Sequence, residues 1–478
     1  MFQIKKNNKL MNTFLTYLFI VFGLSSIYSQ DTPSLSYIKY LEYVTDNHPL
    51  LTQAYNRAQF GQANQQMARG AFDPKLTFEN QQKKYNDQLY YNQSGGSISI
   101  PTWFGLSLKG DYSVNDGVFL NPEDKLPTDG LYSAGISLDA SEGLWINKRM
   151  ATLKKAAIII NQTQAERDLL INELVTEASL AYFNWLLAYD NYQVNVQFRN
   201  NAAKRYEGVR QRALSGDIAM IDTVESFTNV QQRILSLSES EVNLVKARLE
   251  ASNYLWGEDN IPLEISENSI PISVSDLEID AFLGIENGGL DNFYLATHPK
   301  LNILEAKVGT LKIDRSLKRA SLFPDVTANF NVLQSNLDQI TPLNTEQYKA
   351  GVKVQLPLFL RKERGDLKIT ALKLSDAQLD FNFESVRIQN KVSQSVQAQR
   401  ALVEQLDLST GLVTNYSKLL IGEQQKFNAG ESSLFVVISR EQKLIESKIK
   451  LNTTFNKYLT NKAVLFNAMG LVIPSLEP

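Results

Sequence analysis

The sequence predicts a mainly helical protein made of two duplicated halves, each with amphipathic strands between its helices. Three observations lead to this prediction. The two halves share the same order of prolines and glycines, each half has a long stretch without proline, and alternating segments precede those stretches. Each half is therefore expected to run helix, strand, strand, long helix and returning helix.

The composition limits the classes of protein that the chain can belong to. With 43% hydrophobic and 21% charged residues among 478, the chain is neither disordered nor an ordinary helical membrane protein. Lys and Arg number 48 against 51 Asp and Glu, a balance that argues against nucleic acid as a partner. The chain has no cysteine, which excludes disulfides, thiolate metal sites and cysteine nucleophiles.

The first 29 residues have the pattern of a secretory signal peptide. Lys5, Lys6 and Lys9 form a basic region, and Phe14 begins an apolar run that ends at Leu24. The alternative is a retained membrane anchor, but about 11 apolar residues are too few for a comfortable span. No later run approaches the length of a spanning helix, so a mature chain that crosses a membrane must do so with strands.

The duplication is clearest around the two histidines. His48 and His298 both precede a proline, and a further proline follows each histidine at an interval of 26 residues. Proline suits the first turn of a helix, so both histidines are predicted to mark helix starts rather than a metal or catalytic site. The first half also carries about 34 extra residues, at about 93–127, which are predicted to form a loop or a hairpin.

The stretches without proline predict two long helical hairpins, at about 146–256 and 365–469. Gly216 and Gly430 are expected to form their tips, because glycine readily adopts the left-handed backbone of a tight turn. A seam at intervals of three and four predicts the buried face of the first long helix: Ile171, Leu174, Ala178, Ala181 and Trp185. Leu235, Val242, Leu244 and Leu249 of the returning helix are expected to pack on the outgoing one.

The alternating segments predict strands at about 74–140 and 324–358, four per chain. Four strands cannot close a barrel, and lipid does not tolerate an open sheet edge, so several chains would have to share one barrel. Aromatic residues near the strands fit either interfacial girdles or a soluble sandwich core. These residues are Trp103, Phe104, Tyr112, Tyr132, Trp145, Tyr348 and Phe359.

A signal peptide, a duplicated half, paired strands and two long helical hairpins together resemble the TolC-like outer-membrane efflux protein family. The resemblance covers about residues 35–470. It implies a homotrimer with a twelve-stranded β-barrel in the outer membrane, four strands from each chain, and a trimeric α-barrel tunnel in the periplasm. It also implies a passive export duct of a tripartite efflux or type I secretion system, without enzymatic activity or cofactor. The implied partners are a periplasmic adaptor (a membrane fusion protein) and an inner-membrane pump.

In similar ducts the hairpin tips contact the adaptor. The residues that this implies for docking are Leu214, Gly216, Asp217, Ala429, Gly430 and Glu431. The alternative is that the glycines simply stop the helices.

Family members often carry an acidic ring near the second tip, but Val436 and Ser439 stand at those positions here. The equivalent residues of the first half are Asp222 and Glu225, about one helical turn apart, and they are candidates for a pore constriction. Rings of carboxylates would attract cations. The alternative is an ordinary solvated helix face.

Segment 258–292 breaks the helical pattern and is expected to join the halves, either as an equatorial collar or as a plain linker, and residues 471–478 form a tail. Two rival functions remain open. One is an exported coiled-coil adhesin or scaffold protein, and the other is an exported hydrolase that uses clustered carboxylates.

Overall fold

The computed structural model describes residues 34–139, 146–285, 293–336 and 346–473. The predicted signal peptide, Trp145 and the end of the C-terminal tail lie outside these residues. The chain divides into two compact units, each of which draws on both halves of the sequence. Among the described residues, the first combines 34–44, 178–278 and 406–456, and the second combines 45–139, 146–177, 279–285, 293–336, 346–405 and 457–473.

Long helices dominate the described residues. In chain order the helices are α1 (Tyr37–Asn47), α2 (Pro49–Arg69), α3 (Lys148–Leu214), α4 (Met220–Ser252), α5 (Asp276–Leu283), α6 (Pro299–Ala320), α7 (Arg361–Asn428) and α8 (Leu434–Met469). Helices α3 and α7 contain 67 and 68 residues, and neither contains a proline that would interrupt its hydrogen bonds. None of the helices described has both the length and the apolar character of a membrane span.

Both histidines are N-caps, as predicted. The Nδ1 atom of His48 accepts a hydrogen bond from the Leu50 backbone N–H at 3.1 Å. The Nδ1 atom of His298 accepts one from Lys300 at the same distance. In each case the following proline occupies the first turn, where its missing N–H leaves no hydrogen bond unmade.

Six strands of the second unit form one antiparallel sheet in the order β2-β3-β4-β5-β7-β8. Their bounds are Lys75–Tyr85, Gln88–Pro101, Leu106–Asp116, Leu131–Asp139, Asp325–Gln334 and Tyr348–Gln355. A separate two-residue parallel pair joins β1 (Ser34–Leu35) to β6 (Ile270–Pro271) in the first unit.

The prediction of four strands per chain was wrong for the sheet itself, which has six. Of the two alternatives for the extra residues of the first half, a loop or a hairpin, the structure shows the hairpin. The extra residues complete β3 and supply β4, and β3 pairs with β4 from Asn92 to Pro101. The signal was weak because this region is rich in Gly, Ser and Asn, which have low strand propensity.

The two faces of this sheet differ in polarity. Directly opposed residues such as Leu108, Ile136 and Phe330 lie on one face, and apolar side chains there are exposed: Leu76 by 84% and Val352 by 73%. The other face carries Thr77, Glu79, Ser97, Asp111 and Ser113, which line one polar depression. A sandwich core would bury the apolar face against a second layer, and within the described chain no second sheet covers it.

The seam predicted on α3 is confirmed, since all five of its residues are buried. The expectation for α4 was wrong for three of its four residues, and only Leu244 is half-buried. Leu235, Val242 and Leu249 are 61%, 51% and 42% exposed, and the buried face of α4 instead holds polar and small residues. Long polar side chains from α3 and α8 occupy that face, as described below.

Candidate functional site

The two hairpin tips have the same backbone geometry. At the end of α3, the Asp217 N–H donates to the Arg212 carbonyl at 2.9 Å and the Gly216 N–H donates to the Ala213 carbonyl at 3.1 Å. Glu431 and Gly430 repeat these bonds at the end of α7 with the same distances. This is a Schellman motif, and both glycines have the left-handed backbone that it requires, with φ of +83° and +80°.

The structure places the predicted docking residues at the ends of α3 and α7 and leaves all of them exposed: Leu214, Gly216, Asp217, Ala429, Gly430 and Glu431. Both tips belong to the first compact unit. The guanidinium of Arg212 lies 5.2 Å from the ring centre of Phe427, which links the two hairpins close to their tips. Exposed apolar side chains adjoin the tips, among them Met220, Ile221 and Phe435.

The two acidic candidates lie at the start of α4. Asp222 is in its first turn, Glu225 follows one turn later, and both are half-buried. Asp222 is stabilised there by the positive end of the helix dipole. They stand next to Ile221 and Val224, which are 69% and 57% exposed, so this end of α4 presents carboxylates beside apolar surface.

Above the tips, the first unit contains a buried charged cluster that the sequence analysis missed. Glu441 of α8 is completely buried and receives two hydrogen bonds from Arg205 of α3, at 2.5 and 3.1 Å. Arg233 of α4 lies 3.9 Å from the same carboxylate and donates to Gln442 at 2.8 Å. Two guanidinium groups thus share one carboxylate inside the helical packing.

Burial lowers the pKa of Arg233, and the charge of Glu441 opposes this shift. The Nε atoms of both arginines have no hydrogen-bond partner among the described residues. A signal for this cluster was present in the sequence. Glu441 stands at intervals of seven and four after the buried Leu434 and Val437, where an apolar residue is expected.

Buried aromatic residues join the start of the described chain to α3 in the first unit. Tyr182 of α3 donates to the carbonyls of Leu35 and Ile272, both at 2.9 Å, and the Tyr37 hydroxyl lies 2.8 Å from that of Ser179. These bonds attach β1 and β6 to α3. Within segment 258–292, the stretch from Ile270 to Ile272 is therefore held against α3.

Within the described residues, no cluster of histidine and acidic side chains is arranged to hold a metal ion. The described residues present packed long helices, exposed tips and a two-faced sheet.

Comparison with known proteins finds similarity to outer membrane efflux proteins. Residues 293–471 match the family model described as outer membrane efflux protein. The solvent efflux pump outer membrane protein SrpC of Pseudomonas putida is 21% identical over 361 residues, which are 73% of this chain and 74% of that protein. The cation efflux system protein CusC of Escherichia coli (strain K12) is 20% identical over 62% of this chain and 64% of its own.

Solved structures share the fold. The outer membrane protein VceC of Vibrio cholerae superposes with a TM-score of 0.65 at 14% identity, over 90% of this chain and 95% of that one. The CmeC outer membrane channel of Campylobacter jejuni gives 0.64 at 12% identity, over 92% and 87%.

The fold is therefore that of the TolC-like channels, long helices with a β-domain, and the relatives that the chain matches are efflux channel proteins, a non-enzymatic family. Residues 293–471 match the outer membrane efflux protein family and the relatives are efflux outer membrane proteins, as the sequence resemblance indicated.

Proposed function

We propose that the protein is a homotrimeric duct through which a partner pump exports cargo from the periplasm to the exterior. The single observation that carries this proposal is the two-faced sheet with open edges, built on the same chain as two long helical hairpins. An exposed apolar face and a polar face fit a sheet with lipid on one side and a water-filled lumen on the other. The sheet would lie in the outer membrane and the helices would form the periplasmic tunnel.

The apolar surface of α4 supports assembly from several copies. Leu235, Val242 and Leu249 recur at intervals of seven and remain exposed within one chain. A heptad stripe of this kind is typical of a helix that packs against a neighbouring helix. We assign these residues to the contact between copies. Packing within one chain leaves them exposed, and the neighbouring copy would cover them.

The tips are the proposed docking site for a periplasmic adaptor, which would join the duct to an inner-membrane pump. Exposed apolar side chains beside two matched turns suit a partner that inserts between hairpins. Crosslinking in cells tests this proposal: a photoreactive label on Leu214→Cys should capture the adaptor, and a label on Leu277→Cys, which is also exposed, should not. Capture from both sites, or from neither, would contradict docking at the tips.

Opening of the tunnel would move the hairpins apart at Gly216 and Gly430. Contacts with the adaptor would favour the open state, because a partner shifts an equilibrium only by binding one state better than the other. Asp222 and Glu225 would then form rings of three carboxylates at the narrow end.

Recordings from purified protein in planar lipid bilayers test the duct and its constriction together. We expect a trimer in detergent that gives discrete, cation-preferring channels. Asp222→Asn with Glu225→Gln should lower the cation preference several-fold, because the local negative charge is lost. The matched control is Glu239→Gln with Glu241→Gln, two exposed carboxylates further along α4, which should leave the preference unchanged.

A folded monomer that gives no channels would refute the duct. Channels whose selectivity is unaffected by the Asp222 and Glu225 variant would remove these residues from the pore and leave the duct standing.

A further inference from the structure

We propose that each copy contributes six strands, not four, to the shared barrel, and that β8 of one copy pairs with β2 of the next. This inference rests on the proposed trimer, and three copies then supply eighteen strands. The first hairpin, formed by β2 and β3, is an integral part of the sheet, since β3 pairs with β2 along one edge and with β4 along the other. A flap lying outside a four-stranded sheet would not show this continuous pairing.

The direction of the outer strands allows such a closure. Every neighbouring pair in the sheet is antiparallel, so the first and last of six strands run in opposite directions. When copies are arranged in a ring, β8 of one copy and β2 of the next therefore form an antiparallel pair. Within the described chain, the outer edges of β2 and β8 have no partner strand, and lipid does not tolerate open edges.

The geometry of membrane barrels favours one register for this seam. Directly opposed residues form a row that begins at Lys75 in β2 and ends at Lys349 in β8. Lys349 lies six residues before Gln355, the last residue of β8. If Gln355 pairs with Lys75 of the next copy, six residues of stagger accompany six strands. With about 3.4 Å per residue and about 4.8 Å between strands, the strands tilt by about 35°, within the range of membrane barrels.

Side-chain polarity supports the same register. With Gln355 opposite Lys75, Leu76 lies opposite Val354 and Phe78 lies opposite Val352, so that the apolar face continues across the seam. A stagger of seven residues would move every side chain of one strand to the wrong face. A stagger of eight would place Val352 opposite the polar Asn80.

Charge complementarity also favours a second copy as the partner of β8. On the polar face, Lys349 and Lys353 stand opposite the neutral Asn331 and Thr327 of their own chain, and Glu79 stands opposite Gly95. In the proposed seam Glu79 faces Gly351 of the neighbouring copy, with the two lysines as its diagonal neighbours. Long side chains reach such diagonal neighbours across a sheet.

The functional consequence is a wider lumen. The diameter of a barrel grows roughly linearly with its strand number, so eighteen strands give a barrel about one and a half times as wide as twelve. The part of the duct in the outer membrane would therefore accept larger cargo than a twelve-stranded barrel.

Disulfide crosslinking tests the seam, and the chain is well suited to it because it contains no cysteine. In Leu76→Cys with Val354→Cys, mild oxidation of the purified trimer should link neighbouring copies and give a band of three chain masses on a denaturing gel. The control is Leu108→Cys with Val354→Cys, which should remain uncrosslinked. That control pair would come together if the first hairpin lay outside the barrel and β4 formed the edge.

Crosslinking of the control pair without crosslinking of the first pair would overturn the six-strand share while leaving a trimer. A monomeric mass before oxidation would instead refute the trimer on which the inference rests.

A second measurement does not depend on introduced thiols. Glu79→Lys should lower the temperature at which the trimer dissociates in detergent, and combining it with Lys349→Glu and Lys353→Glu should restore that temperature. Equal dissociation temperatures for the wild type and Glu79→Lys would exclude Glu79 from the seam.

Discussion

At the scale of single residues, the two histidines show how a pair of side chains determines where a helix begins. Each imidazole accepts a backbone N–H through Nδ1, which requires that this nitrogen carry no proton. His298 also packs against the end of α8, where a Cβ on Gly470 would lie 2.9 Å from its Nε2 atom. The sequence predicted the helix starts from the following prolines but gave no sign of this second contact, which joins residues 172 positions apart.

The protonation of His298 should make the stability of the protein depend on pH. Burial lowers its pKa, and a hydrogen bond with the backbone of Ala468 partly opposes this shift. The unfolded chain therefore binds a proton more readily than the folded chain. The stabilisation is complete above the unfolded pKa of about 6.5 and is lost as the pH falls through the lower folded value.

We expect His298→Asn, which keeps an N-cap acceptor, to reduce the loss of thermal stability between about pH 7 and pH 5. His298→Ala removes the cap and should cost about 1 kcal/mol at neutral pH. Melting curves followed by circular dichroism across this pH range provide the measurement. The same pH slope in the wild type and His298→Asn would show that other groups control the acid response.

At the scale of elements, the helices were predictable and the sheet was only partly so. A stretch without proline permits a long helix, and α3 and α7 each end two residues before the predicted tip glycines, Gly216 and Gly430. The strands of the insertion were hidden because Gly95 and Gly96 interrupt the alternation of β3. Their pairing with β4 depends on tertiary context, which local propensity does not report.

The tip glycines allow a matched test of backbone strain. Nothing lies within 4 Å of a Cβ built on Gly216, so Gly216→Ala causes no clash. The remaining cost is the backbone strain of an alanine at a φ of +83°, which should lower the stability by about 1 kcal/mol. Gly208→Ala is the control, because Gly208 lies on the exposed face of α3 with equally open space. In that ordinary helical backbone alanine should stabilise by about 0.5–1 kcal/mol.

The two alanine variants should therefore shift the thermal midpoint of the purified protein in opposite directions. Shifts of the same sign would contradict the assignment of a left-handed turn at Gly216.

At the scale of the whole molecule, the two halves repeat each other in sequence, but neither half packs as a separate structural unit. Each compact unit takes segments from both halves, so neither half buries its helices alone. In the first unit, Phe198 of the first half packs among Leu420, Val437 and Leu444 of the second. Periodicity predicted which faces are buried on α3. It could not predict which helix covers them, because such contacts join residues more than 200 positions apart.

The Arg205–Glu441–Arg233 cluster gives the sharpest test of this interdependence. The carboxylate comes from the second half and both guanidinium groups come from the first. Glu441→Gln would leave two buried positive charges without their counter-charge, and we expect a loss of about 3–5 kcal/mol. The control is Glu446→Gln on the same helix, where an exposed pair with Lys443 should cost under about 1 kcal/mol. Thermal unfolding in one detergent compares the two, and equal losses would mean that the buried carboxylate does not hold the halves together.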